Sequence, residues 1–318
     1  MLAGASETST IFDSAELVRC PPYRWRHLQR SASTERLLLA DPEIPEELAW
    51  ALLERDTLPR AIHSGKAIGL FLRGINEARG AEPEDMISLR LCILPTRIVS
   101  LELRRLPVID RLIAEFRNGR APQTIDAFVV QVVETLREAM EHELDLLEAD
   151  IYTLELDSAG RAGELLVQGR ARLADTRQDA IIIHRFVAPQ SDAIERLITL
   201  APPWLEDHAT LREEATAFRR IAADLDSVRA RGAIVAEELR AAQAERQNRS
   251  FLLLTAISVV FLPLTFLTGL LGVNLHGIPY ATDTFSFPSF SLFLLVVALV
   301  SGLTDDSAQE ARGDQATH

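Results

Sequence analysis

One stretch near the end of the chain limits what it can fold into more than any other. Residues 251–274 read FLLLTAISVVFLPLTFLTGLLGVN and carry no charged side chain over 24 positions. At a rise of ~1.5 Å per residue, a helix of this length crosses a hydrocarbon core of ~30 Å. The stretch therefore predicts a membrane-spanning helix.

The small and polar residues of this span recur at steps of three and four, which keeps them on one face of a helix. Lipid cannot satisfy hydroxyl groups, so we expect this face to meet either another helix or water. A pore wall and a tight helix–helix contact both fit the spacing. The stripe consists of Thr255, Ser258, Leu262, Thr265, Gly269 and Gly272.

A second apolar run follows the first after a short loop. Gly277 and Pro279 favour a turn, and residues 287–303 form a run of about 17 residues, which is near the lower limit for crossing a bilayer. The two runs predict a transmembrane hairpin over residues 251–304.

The first span ends in the tripeptide Gly272-Val273-Asn274. This region resembles the CorA superfamily of two-helix divalent metal-ion transporters, whose signature at this place is Gly-Met-Asn. The run FLPLTFLTGLLGVNLHGIP is very similar to the ZntB zinc-transporter branch, and APQSDAIERL at 188–197 matches a segment of that branch's cytosolic helices. The resemblance implies transport of zinc through a homopentamer, with the tripeptide as the ion filter.

The N-terminal part, residues 1–120, has a mixed pattern that predicts a cytosolic α+β domain. Strands are expected near 23–28, 67–72, 87–94 and 97–103, with a helix in PEIPEELAWALLER. The region has no phosphate-binding glycine loop and no hydrolase or metalloprotease motif, so we expect no enzymatic activity and no cofactor. Its isolated histidines, His27 and His63, are expected to be structural or surface residues.

Composition excludes two further kinds of partner or site. A net charge of −13 argues against nucleic acid. Cys20 and Cys92 are far apart and form no CxxC pattern, so neither a disulfide framework nor a thiolate metal site is expected. The first ten residues lack the features of a signal peptide.

Residues 121–250 predict a cytosolic helical domain. Apolar spacing indicates one helix from Ile125 to beyond Ile151, a second over 164–188, and a long stalk helix that begins near Pro203. The stalk carries a heptad of apolar residues that we call the seam and that predicts a coiled coil between copies of the chain. The seam consists of Phe218, Ile221, Leu225, Val228, Gly232, Val235, Leu239 and Ala242.

We expect the face of the seam to continue in phase into the membrane, so that symmetry-related copies place both around one axis. The predicted pore-lining positions are Asn248, Phe251, Leu254, Thr255, Ser258, Leu262, Thr265 and Gly269.

Charge predicts the orientation. Arginines precede the first span, whereas residues 275–290 contain no Lys or Arg, which favours a cytosolic N-terminal part and an external loop. Two spans in the inner (plasma) membrane would place both termini in the cytosol. The tail, 305–318, is acidic where the CorA superfamily usually has a short basic end.

The predicted pore offers a cation only hydroxyls, backbone carbonyls and the Asn274 amide. Such neutral oxygens suit a hydrated divalent cation, so Mg²⁺, Co²⁺ and Ni²⁺ remain alternatives to Zn²⁺. Phe251, Leu254 and Leu262 fit either a hydrophobic gate or packing, and His276 fits either a transient zinc contact or an exposed loop residue.

An acidic helix supplies a second candidate cation site. Glu138 and His142 share one face, as do Glu141 and Asp145, and with a neighbouring copy they would complete a regulatory site. A solvated acidic surface fits the same spacing. A membrane-anchored coiled-coil scaffold or sensor also remains consistent with the whole pattern.

Overall fold

The structure, a computed structural model, describes residues 10–16, 21–55, 57–76, 86–161 and 168–272, together with five separate positions between 289 and 296. The chain divides into two compact units, Met1–Glu238 and Leu239–His318.

Six strands form one sheet in the first unit. Four of them fall where the apolar runs predict strands, and the other two are short or only half-buried, so their sequences carry little periodicity. In chain order the strands are β1 (Thr10–Asp13), β2 (Arg24–Gln29), β3 (Arg60–Ser64), β4 (Ala67–Gly74), β5 (Ile87–Leu94) and β6 (Arg97–Glu102).

The strand order is β1-β2-β6-β5-β4-β3. β2 and β6 are parallel, and all other neighbours are antiparallel, so the sheet is mixed. The strands β4 and β5 are buried along their whole length. Such continuous burial requires elements on both faces of the sheet.

Three short helices accompany the sheet: α1 (Ala32–Leu39), α2 (Glu46–Leu53) and α3 (Pro107–Arg117). The predicted helix is α2, which begins directly after Pro45. The first helix, α1, was not predicted, although Ser31 provides a cap by accepting a hydrogen bond from the Thr34 N–H at 3.1 Å.

Aromatic side chains fill the space between β2, α3 and the helix that follows. The Trp25 ring lies 4.8 Å from the Phe116 ring and 5.0 Å from the Phe128 ring, measured between centroids. All three side chains are buried. Trp25 is therefore a central anchor of the first unit, beside the polar network described below.

Three long helices complete the described chain: α4 (Ile125–Arg161), α5 (Gln168–Leu200) and α6 (His208–Gly272). The prediction that α5 ends at residue 188 is wrong, because the helix continues through Pro189. Buried contacts hold it beyond the proline: Gln190 Oε1 accepts from the Arg73 N–H at 2.6 Å, and Ser191 Oγ donates to the Ala215 carbonyl at 2.8 Å.

The start of α6 also differs from the prediction, since the helix begins at His208 and not near Pro203. Ala201 has a φ of 43°, which interrupts the helical path. The Leu205 N–H then bonds to the Pro202 carbonyl at 2.9 Å in a separate turn. Asp207 caps α6 by accepting from the Thr210 N–H at 2.9 Å.

The seam does not lie on a free surface, and the prediction that it joins copies of the chain is wrong. Leu225 and Val228 are 0% exposed within one chain, and Val235 is 1% exposed. A Cβ added at Gly232 would lie 3.3 Å from Ile151 Cδ1 of α4. Heptad spacing shows which residues of a helix are buried together, but it does not show whether the covering helix belongs to the same chain.

Candidate ion-conducting face

The second half of α6 exposes its apolar side chains. Among the described residues, one helix is long and apolar enough to cross a membrane, and none of its most apolar window is buried. Phe251 is 66% exposed and Leu262 is 75% exposed. Soluble proteins rarely expose such a continuous apolar surface, so this half of the helix requires lipid or protein around it.

Burial distinguishes two sides of this apolar helix. Ala256, Val260, Pro263 and Leu264 are half-buried, whereas the stripe positions Thr255 to Gly269 are exposed. At ~100° per residue, these two sets lie on roughly opposite sides of the helix. The stripe therefore lies on a side that a single chain leaves open, as do Leu253, Ile257 and Phe261 on other flanks of the helix.

The hydroxyl groups of the stripe are already hydrogen-bonded within the helix. Thr255 donates to the Phe251 carbonyl at 2.8 Å, Ser258 to the Leu254 carbonyl at 2.8 Å, and Thr265 to the Phe261 carbonyl at 2.7 Å. The expectation that these groups need an external partner is wrong, because each donor bonds to the carbonyl four residues earlier. The lone pairs of each hydroxyl oxygen remain able to accept a hydrogen bond from a neighbour.

The prediction that seam and stripe share one phase is also wrong. Continuing the steps of three and four from Leu239 and Ala242 leads to Leu253, Ala256 and Val260. Thr255 and its fellow stripe positions lie two residues further on, which is about 200° of helix rotation. The stripe thus follows a different face from the seam.

Counting backward from the stripe in the same steps leads to a face that sequence reasoning missed. It reaches Asn248, Ala244 and Ala241, all of which are exposed. Further back along the sequence the steps reach Glu237, which is exposed, and then Ile234, which is 62% exposed. We call Ile234, Ala241, Ala244 and Asn248 the small-residue face. Its alanines are weakly hydrophobic, and only their regular spacing could have revealed it.

Gly272 is the last residue of α6 and the first residue of the predicted filter. Val273 and Asn274 lie outside the described residues, as do His276 and the acidic tail. The predicted second span is described at single positions, which are helical, with Leu292 62% exposed and Phe293 53% exposed.

The acidic helix α4 forms no metal cluster by itself. Among the described residues, no group of three or more His, Cys, Asp and Glu side chains is placed to hold a metal ion. Glu141 pairs with Arg137 and, at 3.2 Å, with Arg220. Glu138, His142 and Asp145 are exposed. A site at this surface would need ligands from a second copy.

The thiol and one histidine of the first unit have definite environments. Burial raises the pKa of Cys92 to about 12, so this thiol stays protonated and is a poor metal ligand. His27 is fully buried, and its Nδ1 lies 2.8 Å from Ser100 Oγ. The parallel register of β2 and β6 brings the two residues side by side, and their separation of 73 positions in sequence hides this pairing.

Residues 22–304 match the sequence pattern of the family described as "CorA-like Mg2+ transporter protein". The chain belongs to the CorA family. Its members are transporters and not enzymes, which agrees with the absence of a catalytic motif. The resemblance stated from the Gly272-Val273-Asn274 region is confirmed.

A named relative in this family is the zinc transport protein ZntB of Yersinia enterocolitica. It is 31% identical over 278 residues, which cover 86% of this chain and 84% of that protein. The similarity therefore includes both units of the chain.

Two solved structures have a similar fold. The full-length CmaX protein has a TM-score of 0.75 and 27% identity, and the match covers 93% of this chain and 91% of that one. The CorA magnesium transporter of Methanocaldococcus jannaschii has a TM-score of 0.66 at 15% identity, over 88% of this chain and 89% of that one. The α+β domain with its long helix is thus the fold of this family.

Proposed function

We propose that this chain is one subunit of a membrane pore for divalent cations and that Zn²⁺ is its cargo. The observation that carries the proposal is the exposed stripe on the apolar half of α6. Four residues on its opposite side are half-buried within the chain, while the stripe carries small and hydroxyl-bearing residues. Such a face is suited to a water-filled path between copies of the helix.

The internal hydrogen bonds of the stripe favour hydrated cations. Each hydroxyl proton is used within the helix, so Thr255, Ser258 and Thr265 present acceptor oxygens to the path. The water shell of a cation directs its hydrogens outward, and these oxygens can accept them. Anions orient their water the other way and find no matching donors on these three side chains. Neutral oxygens also bind weakly enough to release the ion.

The choice of zinc rests on the relatives. Neutral oxygens do not distinguish hydrated Zn²⁺ from hydrated Mg²⁺, because ligand preference acts once water is lost. The Yersinia enterocolitica relative is named a zinc transport protein and is similar over most of the chain. We therefore assign Zn²⁺ and keep Mg²⁺, Co²⁺ and Ni²⁺ as cargoes to be tested.

Assembly around the path would use the small-residue face and not the seam. Ala241, Ala244 and Asn248 continue the stripe in its own phase and are exposed. Alanine allows helices to approach closely around an axis. Five copies, the number implied by the family resemblance, would place Phe251, Leu254 and Leu262 as successive apolar rings suited to gating.

The filter is proposed at Gly272-Val273-Asn274, which begins at the last residue of the stripe. A ring of Asn274 amides would offer neutral acceptor oxygens to the arriving hydrated ion. His276 would lie beyond it in the external loop. This arrangement has both termini in the cytosol, with the large first unit beside the inner membrane.

Cation uptake into liposomes containing the purified protein tests the function. We expect uptake of Zn²⁺ that exceeds uptake of Mg²⁺. Asn274→Ala should reduce it about fivefold or more, as loss of ~1 kcal/mol of polar contact implies. Absence of any divalent uptake by well-incorporated protein would contradict the proposal and favour a membrane-anchored scaffold or sensor.

A matched pair of threonines tests the stripe itself. Thr265 and Thr268 both donate to the carbonyl four residues earlier, at 2.7 and 2.9 Å. Thr268 is rotated about 60° from Thr265, and so further from the stripe. We expect Thr265→Val to lower Zn²⁺ uptake and Thr268→Val to change it less. Equal effects would mean that helix stability, and not the path, is being measured.

A further inference from the structure

A cavity of about 590 Å³ lies at one end of the sheet in the first unit. Its lining comes from the turn between β3 and β4, the turn between β5 and β6, and the segment that joins α5 to α6. Ile68 pairs with Ile93 across β4 and β5, which brings the two strand turns to the same end of the sheet. Cavities that hold small ligands have volumes of ~300–1,000 Å³. This space therefore has the size of a small-molecule site.

Most of the cavity wall is apolar. Trp204 is half-buried, and two prolines precede it in the sequence. A broad indole and rigid proline rings cover a flat hydrocarbon surface at little cost in side-chain freedom. The wall thus suits the ring of an aromatic ligand. Its apolar members are Ile68, Pro95, Leu200, Pro202, Pro203 and Trp204.

The ionisable groups of the lining are both basic. They are His63 and Lys66, and no acid lines the cavity within the described part of the chain. Neither side chain has an ion pair or hydrogen bond among the described residues. The chain as a whole has a net charge of −13 and therefore repels anions. The cavity is a local exception that attracts a negative group.

A tight hairpin turn supplies both basic groups. The register pairs Ser64 with Ala67, which leaves Gly65 and Lys66 as the turn residues. Gly65 has a φ of 59°, a conformation that glycine adopts without strain at the first position of such a turn. His63 directly precedes the turn on β3 and lies opposite Ile68 of the apolar wall.

The segment on the other side of the cavity contains a strained residue. Ala201 also lines the space and has a φ of 43°, which a residue with a Cβ adopts only at an energetic cost. The turn closed by the Leu205 N–H and the Pro202 carbonyl follows directly and carries Trp204. Backbone strain of this kind is concentrated at functional sites. It therefore supports a binding role for this segment.

We propose that this cavity binds a small aromatic carboxylate. The ring lies against Trp204 and the prolines, and the carboxylate accepts hydrogen bonds from the Lys66 ammonium and the His63 N–H. A single lysine balances a single negative charge. Phosphate groups are instead typically held by arginine forks or glycine-rich loops, and neither lines this cavity among the described residues. The site goes beyond the proposed pore and does not depend on it.

Calorimetric titration of the full chain in detergent with 2-naphthoate tests the proposal. We expect saturable binding of one 2-naphthoate per chain, whereas protein-free micelles should show only non-saturable partitioning. The uncharged 2-naphthamide should bind about tenfold more weakly or less, because it lacks the charge that Lys66 contacts. Acetate, which has no ring, and inorganic phosphate should give no saturable binding.

Variants of the single lysine test its role. Lys66→Gln should weaken 2-naphthoate binding about tenfold or more, because hydrogen bonds to charged groups contribute more than neutral ones. Lys66→Arg keeps the charge and should retain most of the affinity. A matched control is Arg36→Gln, which removes an exposed cation from α1 and changes the net charge equally. We expect this control to bind like the unmodified chain.

The same lysine permits a second, local measurement. Lys66 is the only lysine of the chain, so an amine-acetylating reagent modifies it and the α-amino group at the N-terminus. Mass spectrometry of peptides separates the two products. Bound 2-naphthoate should slow acetylation of Lys66 and leave the α-amino group unaffected, which serves as the internal control.

Three results would overturn the proposal. They are the absence of saturable 2-naphthoate binding by the folded chain, equal binding of 2-naphthamide, and unchanged binding by a folded Lys66→Gln protein. The first two do not depend on whether any variant folds. Divalent-cation uptake into liposomes is measured separately, so the pore and this site can succeed or fail independently.

Discussion

The two parts of α6 use similar apolar spacing for opposite purposes. From His208 to Glu238 the seam is buried within the chain, and the remaining surface is largely charged and polar. From Phe251 to Phe266 most of the large apolar side chains are exposed, with Leu262 at 75%. The first part gains its stability from its own unit, whereas the second requires lipid or other copies. Periodicity alone does not separate these cases; burial does.

The sharpest way to break this comparison is to place a charge in the seam. Leu225 is 0% exposed, and burying an unpaired carboxylate there costs several kcal/mol, a large part of a typical stability of ~5–15 kcal/mol. We expect Leu225→Asp to unfold the first unit rather than to dissociate an oligomer. Thermal unfolding and mass in detergent measure the two outcomes.

The control for that change is Ile234→Asp. Ile234 is 62% exposed and belongs to the small-residue face. We expect the first unit to remain folded, within about 0.5 kcal/mol, and the assembly to weaken. A Leu225→Asp protein that stays folded but loses its partners would restore the seam as a contact between copies.

Two Gly→Ala substitutions, each of which adds a single methyl group, make this comparison sharper. A Cβ at Gly69 would meet Leu48 and lie 3.1 Å from Ile62, so Gly69→Ala should destabilise the first unit by about 1–3 kcal/mol. A Cβ at Gly269 meets nothing within 4 Å in the chain. Gly269→Ala should therefore leave stability unchanged or slightly raised, but lower cation uptake if this face lines a narrow path.

Chemical denaturation checks the first change, and uptake by equal amounts of incorporated protein checks the second. A destabilised Gly269→Ala protein would mean that the stripe packs against the chain's own residues. That outcome would remove the distinction between the two faces of the apolar helix.

A smaller effect is expected at the ion pairs of β1. Burial disfavours the charged Asp13 carboxylate, but hydrogen bonds from Arg24, the Ala15 N–H and Arg26 outweigh it and lower its pKa to about 2. A lowered pKa in the folded state means stability that is present above pH ~4 and lost as the pH falls toward 2. We expect Asp13→Asn to cost at most about 2 kcal/mol at pH 7.

Urea unfolding at pH 7, 4 and 3 measures this dependence. The difference between the two proteins should stay nearly constant from pH 7 to pH 4 and shrink at pH 3. A constant difference would mean that Asp13 contributes through packing or neutral hydrogen bonds and not through its charge.

Much of the fold follows from local patterns in the sequence. The central strands β4 and β5 are long apolar runs, and α2 begins after Pro45 as proline rules predict. The end of α5 does not follow from local rules, because buried contacts of Gln190 and Ser191 carry the helix past Pro189. Tertiary packing outweighed a local break signal there.

The candidate functional residues also differ in how far the sequence alone predicts them. The stripe of Thr255, Ser258 and Thr265 is visible from spacing, since all its members belong to one helix. The hydrogen bonds that these hydroxyl groups donate within the helix cannot be predicted from the spacing, because the same spacing fits a hydroxyl that faces water. The buried pair His27 and Ser100 belongs to separate strands, and only the parallel pairing of β2 with β6 brings the two residues together.

The central claim is that the stripe, and not the opposite face, borders the path of the ion. In a chain with Cys20 and Cys92 replaced by Ala, single cysteines at Ser258 or Val260 test it directly. A membrane-impermeant thiol reagent should block divalent-cation uptake through Ser258→Cys and leave Val260→Cys largely active, because Val260 is on the half-buried side. Block of the Val260 variant with an unaffected Ser258 variant would contradict the account.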